Sequence, residues 1–537
     1  MTKRQVTILD DSNIVESYPG ITLPLTESFI KAAYHEIFRG ALLRLTSSQK
    51  IVKENDESLQ NMLASYNGRI YYQINNWYSV IRYMPFSHKI IPIWQEMMGV
   101  NHKSDSTDQK HAVPFSRKMI IAKNVASGTF GTPREMAKLN QVFADAEKYF
   151  NTDYNANLAN EQLKELYETL FKKVLLKWDV TLANDLYAFV FTGLVKRRLK
   201  NANQYISSAG NIESMKPLRA LLDIVKFAVE SKEIEKMAKL KTNDDADNFL
   251  ASKTELAGKI NRYIAKFGDR YLDELKLESP TYRTAPKLLI DRIMEYAETH
   301  AELDAVAGNG TLAKPKSSRL TKKFLDMAIV GIKNREASRL NRARLYGMVR
   351  TIFLTIGKNM ARDKIILSQA DIFYLTISEI FDYIDGQEID LAKIIKNRQK
   401  DYRTYEHSPA QHRLVFIDGK LQNDSNELLA TNELLGVPVS SGKATAEVVV
   451  VQDPKSVSDI SGKILVTRTT DPAWAFLLVK AAGVIAEKGS LLSHTAIIAR
   501  ELNVPAIVNI PNVTSLLKNG DIVTMDCATG KVEIQND

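Results

Sequence analysis

Gly489-Ser490-Leu491-Leu492-Ser493-His494-Thr495-Ala496-Ile497-Ile498-Ala499-Arg500-Glu501, followed by Asn503-Val504-Pro505-Ala506-Ile507-Val508, sets one histidine at the start of a helix. Gly489 and Ser490 suit a tight turn, Ser493 is a good N-cap, and Ala496, Ile497, Ala499 and Arg500 read as the helix that follows. His494 then falls in the first turn. Such a helix end carries unpaired N–H groups and a partial positive charge, so a phosphoryl group on the imidazole meets ready-made donors. No metal ligand cluster is needed. A lone Ser-His pair is by itself an ordinary surface turn, and the surrounding residues carry the distinction.

Working outward, the region after about Asn423 has α/β grammar. Ala446 to Val451, Lys463 to Thr467 and Gly483 to Ala486 read as buried strands with short helices between them. Asp521 to Met525 and Lys531 to Ile534 read as a closing hairpin across Ala528-Thr529-Gly530. From about Leu25 to Glu406 the pattern is mainly helical, as in the stripe Leu345, Met348, Val349, Ile352, Phe353, Ile356. Further helical runs cover Leu163 to Leu199, Met215 to Val229, Ala246 to Phe267, Leu288 to Ala297 and Ala370 to Ile384. The expected fold is multidomain, α and α/β. It has a large mainly helical domain over 1–417, a polar linker over 418–433 and a small β/β/α domain over 434–537.

Composition narrows the class. The chain has 537 residues, 25% of them charged, and its net charge is 72 − 63 = +9, a modest excess that suits an anionic substrate. Basic clusters such as Lys196-Arg197-Arg198-Leu199-Lys200 read as solvated faces, because no nucleic-acid motif accompanies them. Nucleic acid is not an expected partner. The single cysteine, Cys527, excludes an intrachain disulfide framework and points to a reducing, cytoplasmic compartment. No run approaches the roughly 18 apolar residues of a membrane span, so no membrane partner is expected either. The histidines other than His494 are scattered singly without ligand spacing, so no protein-held metal is expected.

The C-terminal motifs, taken in order, resemble the swivelling phosphohistidine domain of the phosphoenolpyruvate-utilising dikinases, the group of phosphoenolpyruvate synthase, pyruvate phosphate dikinase and rifampin phosphotransferase. Gly436-Val437-Pro438-Val439-Ser440-Ser441-Gly442 resembles the opening turn, and Thr470-Asp471-Pro472-Ala473-Trp474 resembles the threonine-aspartate-proline signature. Glu487 to Pro505 resembles the histidine motif. Departures are Ser490, Asn503 and Asn509, where glycines are common. In the helical region, Asn13 to Gly20, Asn67-Gly68-Arg69-Ile70-Tyr71-Tyr72, Gln95 to Val100 and Ala370 to Thr376 resemble landmarks of the same family's substrate domain.

The resemblance implies a phosphoryl relay: the β-phosphate of ATP passes to His494 and then to an acceptor, with Mg2+ beside the nucleotide. It implies that His494 is the phosphoryl carrier and Ser493 its neighbour, with Gly489, Thr470 and Asp471 around the phosphate. Arg335-Glu336-Ala337-Ser338-Arg339 resembles the catalytic arginine and following lysine of rifampin phosphotransferase, with arginine in the lysine's place. Arg335, Arg339 and Arg342 also share one helical face by spacing, where an anion relieves their mutual repulsion. Arginine clamps phosphate but is a poor proton acceptor. Because the resemblance begins at Asn13, the ATP-grasp half is expected on a separate subunit, as in phenylphosphate synthase. Because the chain stops at Asp537, no phosphoenolpyruvate barrel is expected, and Cys527 reads as a small core residue.

The expected function is therefore the phosphohistidine and acceptor-binding component of a dikinase-type phosphotransferase, acting on a small-molecule acceptor. The alternatives are a non-catalytic binding relative and a phosphocarrier charged by another phosphoprotein. Tyr71, Tyr72, Trp77 and Tyr78 read equally as an acceptor pocket or as helix core.

Overall fold

A computed structural model describes the chain apart from residues 1–5, 12–13, 85–86, 89–90, 93–94, 96–114, 200–201, 208–215, 298–316, 423–433, 453–456, 458–459, 471–473, 490–493, 511 and 536–537. The fold is mainly helical, with a β-rich region towards its C-terminus. Two compact units divide it, and neither is continuous. The first is Met1–Tyr187, Leu275–Glu278 and Leu345–Leu429; the second is Ala188–Glu274, Ser279–Arg344 and Ala430–Asp537. Residues 1–417 are thus shared between the two, where a single helical domain was expected. The physical reason lies in one 44-residue helix, Arg319–Arg362, which contributes to both units without a sequence break at their boundary.

The first unit contains a sheet that the sequence reading did not expect, and two of its strands fall within the run read as mainly helical. Its strands are β1 (Val6–Asp10), β2 (Leu63–Tyr66), β3 (Arg69–Gln73), β4 (Arg413–Ile417) and β5 (Lys420–Gln422), in the order β2-β3-β1-β4-β5 with every pair antiparallel. Both hairpins turn on two residues with positive φ, Asn67 (47°) with Gly68 (69°) and Asp418 (50°) with Gly419 (77°). This is the Asn-Gly and Asp-Gly chemistry of type I′ turns, whose twist matches that of the strands. The expected linker over 418–433 therefore begins inside a hairpin, and its residues 423–433 lie outside the described residues.

Helix Pro24–Thr46 packs its Leu25, Phe29 and Ile30 into the same core as Leu345, Met348, Val349, Ile352, Phe353 and Ile356 of the long helix, so the sequence stripe is indeed buried. Its N-cap position is Leu23, which has no side-chain cap to offer. The segment 275–278 supplies one. Glu278 accepts from the Leu23 amide at 2.9 Å and from the Thr26 hydroxyl at 2.5 Å, while the Leu277 amide donates to Thr26 Oγ1 at 2.7 Å. Arg350, 1% exposed, donates to the carbonyls of Lys276 and Leu277 at 2.8 and 3.0 Å. A carboxylate at a helix N-terminus satisfies orphan donors and meets the helix dipole. Glu278→Ala is expected to lower stability by about 1–3 kcal/mol in urea unfolding of the whole chain. An unchanged midpoint would show that the cap contributes nothing.

In the second unit the C-terminal residues form an eight-stranded sheet. The strands are β6 (Leu434–Leu435), β7 (Val437–Pro438), β8 (Lys443–Val450), β9 (Ile464–Thr467), β10 (Gly483–Ala486), β11 (Ala506–Val508), β12 (Ile522–Asp526) and β13 (Lys531–Ile534). Their order is β6-β13-β12-β8-β9-β10-β11-β7. Strands β8 to β11 are parallel, and the outer pairs are antiparallel. Every residue of β9, β10 and β11 is buried, as expected for parallel strands covered on both faces. The period of two divides them: Ile464, Val466, Ile485 and Ile507 enter one core, while Leu465, Val484, Ala486, Ala506 and Val508 enter another.

Candidate functional site

Parallel strands present their carboxyl ends, and the loops that leave them, to one edge of a sheet, where α/β folds bind ligands. Here β9 and β10 stay paired past their ends: the Glu487 amide donates to the Thr467 carbonyl at 3.0 Å and the Lys488 amide to the Arg468 carbonyl at 2.9 Å. Thr470 lies on the loop after β9. The loop after β10 passes through Gly489, whose φ of 144° favours glycine, and leads to helix His494–Glu501. Glu487 turns its buried carboxylate the other way, onto the Thr514 amide at 3.0 Å and the Thr514 hydroxyl.

His494 is the first residue of its helix, which places its backbone at the end carrying the orphan N–H groups. The loop after β9 meets this helix at its second residue. Thr470 Oγ1 and Thr495 Oγ1 share a hydrogen bond of 2.6 Å, and both residues are buried. The back of the helix packs through Ala496, Ile498 and Ala499, and Arg500 Nη1 donates to the Val439 carbonyl at 3.0 Å. Ser493 and Asp471 lie outside the described residues, as does the side chain of His494. Asn503 and Asn509, where the family favours glycine, have φ of 54° and 63°. Asn tolerates this left-handed region better than most residues other than glycine, which suits it to both positions.

Arg335, Arg339 and Arg342 stand half-buried on helix Arg319–Arg362, in the same compact unit as His494. Their surroundings are not those of a solvated stripe. Arg339 Nη1 lies 3.7 Å from Oε1 of Glu336, whose side chain is 2% exposed. That oxygen has no hydrogen-bond donor among the described residues. Leu340, one turn beyond Glu336 on the same face, joins a single apolar cluster with Ala496, Ile498 and Ala499. Helix Ala202–Ser207 also packs against helix His494–Glu501. The histidine helix thus rests on the helical part of its own unit through helix Ala202–Ser207.

Sequence reasoning missed two of these residues. Thr495 gives only the weak signal of standing beside His494, and Glu336 is assigned no role by the sequence. The aromatic group Tyr71, Tyr72, Trp77 and Tyr78 is buried in the first unit, with Trp77 centred 4.4 Å from Phe38 and 4.8 Å from Tyr72. It is core, not a pocket. Cys527 is buried as well, its Sγ 3.7 Å from the Ala506 carbonyl, and burial pushes its thiol up to about 11. The folded value lies above the unfolded one, so its contribution to stability is complete below the unfolded value and is lost as pH rises through about 11. At pH 8 roughly a thousandth is thiolate, so iodoacetamide is expected to spare Cys527 in the folded chain and alkylate it in urea. Modification at equal rates in both states would contradict this burial.

Residues 460–530 match the family described as PEP-utilising enzyme, mobile domain. The chain carries a phosphoenolpyruvate-utilising mobile domain. Residues 179–344, which include the arginine stripe, match the rifampicin phosphotransferase fourth domain. A rifampicin phosphotransferase of Streptomyces sviceus is 26% identical over 353 residues, 61% of this chain and 40% of that protein. One of Bacillus subtilis is 28% identical over 321 residues, 54% of this chain and 36% of that protein. The prodigiosin synthesizing transferase PigC of Serratia marcescens is 28% identical over 297 residues, 51% of this chain and 33% of that protein. The chain therefore spans 40% or less of the length of these relatives. No described helix is long and apolar enough to cross a membrane.

Proposed function

We propose that the chain is the phosphohistidine and acceptor-binding part of an ATP-dependent, dikinase-type phosphotransferase. The observation that supports this most is the placement of His494 at a helix start, braced by Thr470 and Thr495, in one compact unit with Arg335, Arg339 and Arg342. Imidazole suits a relay because its neutral nitrogen is nucleophilic near physiological pH and the phosphoramidate it forms is a reactive donor.

In the delivery step the acceptor oxygen attacks phosphorus, the N–P bond breaks and its electron pair returns to the imidazole nitrogen of His494. Arg335, Arg339 and Arg342 neutralise the charge on the transferring oxygens. The acceptor's proton needs a base, a role for which arginine is unsuited. We assign it to the buried carboxylate of Glu336. Packing of helix Ala202–Ser207 against helix His494–Glu501 supports docking of the phosphohistidine part on the helical part of its own unit.

Among the described residues there is no group of three or more His, Cys, Asp or Glu that could hold a metal ion. We place ATP and Mg2+ on an ATP-grasp module outside these residues, on a separate subunit. The relatives named for rifampicin and for prodigiosin synthesis support a small-molecule acceptor without fixing which one. The test is ATP labelled in its β-phosphate, supplied with magnesium and an ATP-grasp partner. The proposal expects label on this chain, with AMP and inorganic phosphate formed. Transfer of the γ-phosphate with ADP as product would overturn the dikinase assignment.

A further inference from the structure

The bond between Thr470 and Thr495 joins the loop after β9 to the helix that follows β10, 25 residues apart in sequence, beside the residue assigned to carry phosphate. Both side chains are almost wholly buried, at 1% and 2% exposure. A buried hydroxyl without a partner costs free energy, and threonine is a mediocre helix former, so local structure gives no reason for Thr495 as the second residue of its helix. Each hydroxyl is the other's partner at 2.6 Å. At the same end Ala496 is buried in the apolar core, and near the far end Arg500 donates to the Val439 carbonyl.

We infer that Thr495 is a positioning residue for His494: through Thr470 it fixes the first turn of the helix, and so the direction from which the imidazole meets phosphorus. This rests on the phosphohistidine reading of His494. A relay histidine must face two sites in turn, and an error of about 1 Å in such an alignment costs roughly a hundredfold in rate. A hydroxyl pair inside the moving body holds the ring's geometry constant in both positions, which no contact with either docking site can do. Thr495→Val keeps the shape, removes one hydroxyl and leaves the Thr470 hydroxyl without that partner. Thr495→Ser keeps the bond.

The experiment compares Thr495→Val, Thr470→Val, the double variant and Thr495→Ser by two readouts on the whole chain. The first is the rate of phosphohistidine formation from ATP with an ATP-grasp partner. Each valine variant is expected to lower the maximal rate roughly ten- to a hundredfold at unchanged KM for ATP. The double variant should be no slower than the worse single one, because both remove the same bond. Serine should restore the rate. The second readout is carbethoxylation of His494 by diethyl pyrocarbonate across pH, followed on its own peptide, which needs neither nucleotide nor partner. The valine variants should shift this profile and the serine variant should not.

Valine variants that match the wild type in both readouts overturn the inference, as does a serine variant as impaired as valine. If the wild type takes no phosphate while the carbethoxylation pattern holds, the proposed function falls and the positioning role stands. If the wild type is labelled and every variant matches it in both readouts, the positioning role alone falls.

Discussion

Replacing His494 with alanine is expected to abolish acid-labile phosphate on the chain and to reduce acceptor phosphorylation by on the order of 10⁴-fold or more. The size follows from the role. A covalent carrier has no substitute within a relay, because the two half-reactions occur at different sites and share only the imidazole. Loss of the ring stops both. The fold is expected to survive, since His494 opens a helix and alanine is the better helix former there. The helix is held by Ala496, Ile498 and Ala499 on its buried side. Circular dichroism and the urea midpoint should therefore match the wild type while labelling disappears. Persistent acid-labile phosphate in this variant would move the carrier to another residue.

Replacing Arg339 with alanine is expected to separate the two half-reactions. Charging of His494 should continue, while delivery to the acceptor slows by roughly 10² to 10³-fold, the usual loss when a preorganised charge is removed from a transferring group. Phosphorylated chain should then accumulate during turnover, where the wild type holds little. Arg339 also lies 3.7 Å from a carboxylate that is 2% exposed, so its removal leaves Glu336 buried without that cation. Breaking such a pair destabilises by about 3–5 kcal/mol. The control is circular dichroism of Arg339→Ala under the assay conditions, which should show the variant folded while delivery stays slow. Arg339→Lys should recover part of the rate, because lysine replaces the charge but not the planar fork. Equal loss of charging and delivery would place Arg339 outside the acceptor step.

Much of this was readable where the structure is local. Gly483 to Ala486 and Lys531 to Ile534 are strands over the residues expected, because continuous apolar runs bounded by turns leave few alternatives. The stripe from Leu345 to Ile356 is buried as its period requires. Elsewhere the signals were present and unused. Thr254 accepts from the Ala257 amide as an N-cap and splits the run Ala246 to Phe267 into two helices. The Asn67-Gly68 and Asp418-Gly419 pairs announce hairpins, the first within a run read as helical and the second within the expected linker.

Other features are invisible to local pattern. Strand β1 pairs with β4, which follows it by some 400 residues, and five residues such as Val6–Asp10 make no period of their own. Glu278 caps a helix that starts at Pro24. Neither the exposure of Glu336 nor the partner of Thr495 follows from spacing, because each is decided by what the tertiary fold brings alongside. The sequence could name His494 and the three arginines as chemistry. It could not supply the carboxylate beside them or the hydroxyl pair behind the histidine.

The central claim, that His494 carries phosphate from ATP to a second molecule, is tested most directly by a pulse and chase on the purified chain. The chain is charged with β-labelled ATP, magnesium and an ATP-grasp partner, then freed of nucleotide and mapped by peptide mass spectrometry before and after addition of candidate acceptors. The account predicts label on the peptide containing His494, stable to base and lost in acid. It predicts that an acceptor then removes the label stoichiometrically with no ATP present. Label on a different residue, or a labelled His494 that no longer needs to discharge while acceptor phosphorylation continues, would contradict it.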